Sequence, residues 1–253
     1  MSDPTRAEIC AVAIAETFRG DGEILASPIG NLPQIGVKLA KLSFEPDLLM
    51  TDGVAFLRAD VAPVGAPAPA PVVEGVMNYR LVFDTLWGGR RHVMMGATQV
   101  DRFGNQNIAC IGDPAQPKAQ LLGMRGAPGN TISHTTSYWV PKHGPNVFVD
   151  QVDGVAGVGY DRARALPEAS RRFHEIRRVV SDLGVFDFET PDNRMRLRSV
   201  HPGVTAEQIV EATGFELVVP EDVPLSRLPT DAELSLLRER VDPNGNGSME
   251  VPG

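Results

Sequence analysis

The chain lacks most of the features that would place it quickly in a protein class. It has only two cysteines, Cys10 and Cys110, in 253 residues. No disulfide framework holds such a chain, and both cysteines fall in segments that read as helix and strand, as reduced core residues. Nowhere do about 18 apolar residues run together, so no membrane-spanning helix is expected. The opening Met-Ser-Asp-Pro-Thr-Arg-Ala-Glu has no charged-then-apolar leader, and the expectation is a cytoplasmic protein. Positive charge is also short. A formal net charge of −8 argues against a general nucleic-acid binder, which needs clustered Lys and Arg to displace counterions. The pairs Arg90-Arg91, Arg171-Arg172 and Arg177-Arg178 read as solvated surface charges, with phosphate contact as the alternative.

Metal and nucleophile signatures are missing too. His92, His134, His143, His174 and His201 show no ligand spacing with one another or with the cysteines, so no metal is expected. Asp242-Pro-Asn-Gly-Asn-Gly247 opens like a calcium loop, but its twelfth position is Gly253, where a bidentate Glu is required. Gly154-Val-Ala-Gly-Val-Gly159 lacks dinucleotide-site spacing, and no serine nucleophile elbow occurs. No separate cofactor is expected.

What is present is enough apolar residue, 42% of the chain, to bury one large α/β core or two modest ones. Thr5-Arg-Ala-Glu8 is a capping box that starts a helix running to about Arg19, before Gly20-Asp-Gly22. A strand is expected over Glu23–Ser27, a helix over Gln34–Leu42 and a strand over Asp47–Met50, the alternation of a parallel sheet. Residues 61–72, with four prolines, read as an exposed extended loop. A helix over Tyr79–Trp87 and strands over His92–Met95, Asn146–Asp150, Ile176–Val180 and Val185–Phe188 follow. Thr205-Ala-Glu-Gln208 and Thr230-Asp-Ala-Glu233 are two more capping boxes. No internal repeat is visible. Residues 1–241 read as a single domain and 242–253 as a disordered tail.

Two stretches concentrate Gly, Asn and other polar residues after the apolar run Arg91–Gly96: Gln99-Val-Asp-Arg-Phe-Gly-Asn-Gln-Asn107 and Gly123-Met-Arg-Gly-Ala-Pro-Gly-Asn130. Such turns at strand ends build polar sites. In the second, a tight turn at Gly126 would let the N–H groups of Gly126 and Ala127 converge on one oxygen, as an oxyanion site requires. Pro128 removes one donor from this loop, and the alternative is a purely structural strand-to-helix turn. Gln99, Asn105, Arg125, Asn130 and His134 are the candidate ligand contacts around these loops. Side-chain amides beside Gly104 can equally satisfy the turn's own backbone, and His134 reads either as a proton donor or as a surface histidine bonded to a nearby hydroxyl. Thr51 and Asp52, before Gly53, form a third turn that touches substrate or merely ends a strand.

The first stretch resembles the Q-V-D-x-x-G-N-x-N segment of class I CoA-transferase beta subunits, and the second resembles their glycine-rich G-x-G-G loop. Pro46-Asp-Leu-Leu-Met-Thr-Asp-Gly53 stands where that family has its S-E-N-G turn, and the likeness covers residues 5 to 190. The strings Asn130-Thr-Ile-Ser-His-Thr-Thr-Ser-Tyr-Trp139, Val179-Val-Ser-Asp-Leu-Gly-Val-Phe-Asp-Phe188 and Leu228-Pro-Thr-Asp-Ala-Glu-Leu234 look like the beta subunits of actinobacterial cholesterol ring-cleaving hydrolases within that family.

The resemblance implies a mostly parallel open sheet flanked by helices, CoA-transferase-like. It also implies a CoA-thioester substrate, so that CoA is part of the substrate. In transferases a glutamate two residues before the glycine attacks the thioester. Here that residue is Thr51, and Asp52 has a shorter reach. What the resemblance to the ring-cleaving hydrolases implies is hydrolysis of a ring carbon–carbon bond by an alpha2beta2 heteromer whose alpha subunit supplies a catalytic glutamate. Two alternatives stand beside it: a transferase in which Asp52 replaces the glutamate, and a scaffold without catalytic residues.

Overall fold

A computed structural model describes residues 2–66, 70–124 and 126–251. The chain divides into two compact units, Met1–Met95 with Arg227–Gly253, and Gly96–Ser226. The sequence had suggested one domain. The division follows from the C-terminal segment returning to the N-terminal helices, a long-range closure that local patterns do not encode.

In the first unit, α1 (Arg6–Thr17) starts at the Thr5 capping box, with the Thr5 hydroxyl accepting from Glu8 N and the Glu8 side chain accepting from Thr5 N. β1 (Leu25–Pro28) follows, then α2 (Asn31–Ser43). The two helices lie close because Gly36 has no side chain: a Cβ there would sit 2.4 Å from Ile14 Cγ2. Around that crossing Ile14, Leu32 and Leu39 are fully enclosed, each contributing roughly 1.5–3 kcal/mol of burial. The hairpin β2 (Phe56–Arg58) and β3 (Val73–Val76) is antiparallel, α3 (Tyr79–Trp87) starts at the Asn78 cap, and β4 (Arg91–Gly96) pairs parallel with β1. The strand expected over Asp47–Met50 is reduced to an isolated bridge, Leu25 to Leu49. The proline-rich loop is anchored at Val64, which is buried and donates its N–H to Val241 O at 2.8 Å; residues 67–69 lie outside the described residues.

The tail expected to be disordered is ordered through Val251. The Asp242 carboxylate accepts from Asn246 N at 2.7 Å and Gly247 N at 2.8 Å, shaping a short 3-10 helix, Asn246–Met249. Glu250 then accepts from Asn31 N at 2.7 Å. α2 begins at Gly30, which has no side chain to cap it, so the distant carboxylate takes that role and complements the helix dipole.

The second unit opens with two small antiparallel ladders, β5 (Gln99–Val100) with β6 (Gln106–Asn107), and β7 (Cys110–Ile111) with β8 (Ala119–Gln120). Next come α4 (Ala127–Ser133), β9 (Thr135–Val140), α5 (Tyr160–Ala163), β10 (Glu175–Ser181), β11 (Gly184–Asp187), β12 (Arg196–Val200) and α6 (Ala206–Glu211). β9 runs parallel to β10, while β10, β11 and β12 form an antiparallel meander. All six residues of β9 are buried, as expected of a strand covered on both faces. The 146–150 strand is only a bridge, Val100 to Phe148. Each unit thus has a parallel pair flanked by helices, the α/β class expected.

Candidate functional site

The turn at Gln99–Asn107 is a buried knot. Gly104 takes φ +81°, a left-handed conformation suited to glycine. Asp101 Oδ1 accepts from Phe103 N and Asn105 N, each at 3.0 Å, and Asp101 Oδ2 accepts from Asn105 Nδ2 at 2.9 Å. Asn105 also donates to Asp161 at 2.9 Å and accepts from Gly159 N at 2.8 Å. Gln99 Oε1 accepts from Asn107 Nδ2 at 2.7 Å and Asp153 N at 2.9 Å, while its Nε2 donates to Asp153 at 3.1 Å. Asn105 is 1% exposed and Gln99 6%. Gln99 and Asn105, proposed as ligand contacts, are therefore structural: their amides satisfy loops some 50 residues away. Burial raises the Asp101 carboxyl above its ordinary value, against the hydrogen bonds from Asn105 and Phe103.

The glycine loop is more open. Gly126 is exposed and caps α4 with φ −81°. Ala127 is buried, and its N–H donates to Met124 O at 3.0 Å. The expected pair of converging amides is therefore broken at Ala127, since a donor engaged in its own turn cannot also serve an oxyanion. Among the described residues the Gly126 N–H has no such partner. Asn130 is half-buried, its N–H on Gly126 O at 2.9 Å and its carbonyl accepting from Thr136 Oγ1 at 3.1 Å. His134 is not on the surface: its ring is fully enclosed, with Nδ1 3.0 Å from Thr135 O. Arg125 lies outside the described residues.

The Thr51 turn belongs to the first unit. Asp52 is exposed, and its Oδ1 accepts from Val54 N at 2.9 Å, Ala55 N at 2.9 Å and Phe56 N at 3.0 Å. Those amides, Phe56 first, hold its carboxyl below the ordinary value. Gly53, at φ +79°, donates its N–H to Thr51 Oγ1 at 3.2 Å. Beside this turn lies a cavity of about 400 Å³ whose polar lining includes Ser27, Gln34, Lys38, Thr51, Asp52, Arg58, Asp60 and Arg91. Sequence reasoning missed Lys38, Arg58 and Asp60 as site residues. Gln34 and Lys38 share one face of α2 through their i, i+4 spacing. Arg91 was visible only as half of a basic pair.

Parallel strand pairs that end in polar turns, one with a glycine loop opening a helix, define an α/β protein that carries its candidate chemistry at strand ends. More particularly, the chain belongs to the Coenzyme A transferase family, whose model matches residues 8–212. It is 54% identical to the cholesterol ring-cleaving hydrolase IpdB subunit of Rhodococcus jostii, over 99% of this chain and 98% of that protein. It is 50% identical to the IpdB subunit of Mycobacterium tuberculosis, over 98% of each. The crystal structure of Rhodococcus jostii IpdAB contains a chain that matches with a TM-score of 0.93, covering 100% of both at 54% identity. Among the described residues no helix is long and apolar enough to cross a membrane.

Proposed function

We propose that this chain is the beta subunit of a cytoplasmic heteromeric hydrolase that opens the last ring of a steroid-derived β-keto CoA thioester. Water adds to the ring ketone, the adjacent carbon–carbon bond breaks, and its electron pair passes to the thioester enolate, which is then protonated at carbon. That retro-Claisen step needs a base for water and donors for the developing oxyanions. The observation that carries the reading is the turn at residue 51. Threonine stands there, and the neighbouring Asp52 carboxylate is folded back on three amides of its own loop, a poor posture for attack on a thioester. The 54% identity to a ring-cleaving hydrolase subunit supports the same choice over CoA transfer.

In this proposal an alpha subunit supplies the glutamate base in an alpha2beta2 assembly. In the first unit Thr51 and Asp52 are the substrate contacts of this reading; in the second, Arg125 and Asn130 are, and the Gly126 amide is offered to developing negative charge. An apolar exposed surface supports an obligate partner: α3 buries none of its residues, Tyr79 is 76% exposed and Trp87 66%, and Val76 on β3 is 63% exposed. Faces of that kind mark interaction sites.

The test is to co-express the chain with an alpha-type partner and follow a cyclic β-keto CoA thioester by mass spectrometry. The expected product is the substrate plus one water, formed by the assembly and not by the isolated chain. Thr51→Ala and Asp52→Asn should each keep activity within about tenfold, since neither forms a covalent intermediate. Exchange of CoA onto a free acid, with a CoA adduct lost in Asp52→Asn, would overturn the proposal.

A further inference from the structure

The cavity beside the Thr51 turn holds a charge arrangement that the proposed reaction does not explain. Three cations line it, Lys38, Arg58 and Arg91, against two carboxylates, Asp52 and Asp60, in a protein whose formal net charge is −8. Both carboxylates are already engaged. Asp60 takes a two-point contact from Arg58, with Nε to Oδ1 at 2.8 Å and Nη2 to Oδ2 at 2.5 Å. Asp52 is held by the three amides of its own turn. Arg91 is held in place by its Nε–H on Ser27 Oγ at 2.8 Å.

Lys38 remains. It is half-buried on α2 between the buried Val37 and Leu39, and among the described residues no hydrogen bond or ion pair reaches its ammonium. Desolvation, and then the like charge of Arg58, press its amine below the ordinary lysine value. A partly buried ammonium with cationic neighbours and no counter-ion is costly. An anion in the cavity relieves that cost, with Lys38 as a point charge and the guanidinium groups as planar donors.

We infer that the cavity lined by Lys38, Arg58, Arg91 and Ser27 is an anion subsite that receives a carboxylate or phosphate group of the CoA-thioester substrate, the Lys38 ammonium contacting its oxygens. The identity of that substrate rests on the function proposed above; the presence of an anion site does not. A second cavity of this unit, about 240 Å³ and lined by Thr5, Glu8, Arg238 and Asp242 among others, has its charges engaged internally, by the Arg238–Glu8 ion pair at 2.6 Å and by the Asn246 and Gly247 amides on Asp242.

The experiment uses the full chain with whatever subunit co-purifies. Thermal midpoints are measured with coenzyme A, inorganic phosphate or cyclohexane-1,2-dicarboxylate, each against chloride at equal ionic strength. Saturating anion should raise the midpoint by roughly 2–4 °C, Lys38→Met should abolish the rise, and Lys38→Arg should keep most of it. A rise with coenzyme A and phosphate alone assigns the site to the CoA end, and a rise with the dicarboxylate alone assigns it to the acyl end.

Should Lys38→Met fail to fold, acylation of the parent by an amine-selective reagent, read by peptide mass spectrometry, replaces it. Anion should slow labelling of Lys38 at least fivefold and leave surface lysines unchanged. Labelling of Lys38 that no anion alters would overturn the subsite. So would a Lys38 that stays inert in every buffer, since a partner surface would then already fill the cavity. Because simple anions suffice, a negative result strikes the subsite alone. Anion binding without ring opening strikes only the proposed reaction.

Discussion

The turn at Gln99–Asn107 and the loop at Gly123–Asn130 are written in the same alphabet of glycine and asparagine, yet they do different work. In the first, Gln99 and Asn105 turn inward and are matched by partners far along the chain: Gln99 by Asp153, Asn105 by Gly159 and Asp161. In the second, Gly126 stands exposed at a helix start. Composition marks a polar turn; burial decides whether its groups hold the fold or face a ligand. A buried amide left without a partner costs about 1–3 kcal/mol, so a turn enclosed by the fold must satisfy itself. A turn at the surface has water as its alternative partner and can exchange it for substrate.

The contrast can be broken most severely at Gly159. Its N–H donates to Asn105 Oδ1, and a Cβ there would lie 2.5 Å from Asn105 N and 2.6 Å from Phe103 O. Both are backbone atoms that cannot swing aside. Gly159→Ala should therefore lower stability on the order of 3 kcal/mol, roughly 6–12 °C in thermal midpoint. A variant that melts with the parent would show the knot to be looser than described.

A milder test compares two aspartates that cap equivalent turns. Burial raises Asp101 above 3.8, whereas the amides of Phe56, Val54 and Ala55 lower the exposed Asp52 below that value. For Asp101, with its folded pKa raised, the contribution to stability is present below the unfolded pKa and lost as pH climbs through the folded one. For Asp52, with its folded pKa lowered, the contribution is present above the unfolded pKa and lost as pH falls through the folded one. Carboxyl-carbon NMR titration should place Asp101 above Asp52. The reverse order would mean that hydrogen bonds outweigh desolvation at Asp101.

How much of this was legible depends on how local each feature is. The capping boxes at Thr5, Thr205 and Thr230 all form as read, because both halves of each lie within four residues. The helix Tyr79–Trp87 also matches, since the Asn78 cap and its apolar spacing are adjacent. The tail was misread because its order comes from Asp242 folding back on Asn246 and from Glu250 reaching Asn31, and the latter contact spans most of the chain. The ladder residues at 47–50 and 146–150 are apolar like strands but find only single bridges. At the site, Thr51 was legible as a departure from a family turn. The Lys38, Arg58 and Arg91 cluster was not, because α2, β2 and β4 bring together residues that no spacing connects.

The smallest effect on the fold, and the sharpest on function, is expected at Gly126. Its φ of −81° lies near the value proline imposes, and a Cβ there meets nothing within 4 Å. Gly126→Ala keeps the N–H and Gly126→Pro deletes it. Both should change stability by no more than ~1 kcal/mol, because the position opens a helix and its N–H has no partner among the described residues. If that N–H meets the oxyanion, Gly126→Pro should lower kcat by ~10²- to 10³-fold with KM changed far less, since the donor acts on charge that develops during reaction. Gly126→Ala should stay within about tenfold of the parent. Equal losses in both variants would point to crowding by the added carbon atoms, and undiminished kcat in a folded Gly126→Pro assembly would reduce this loop to the same structural role as the turn at Gly104.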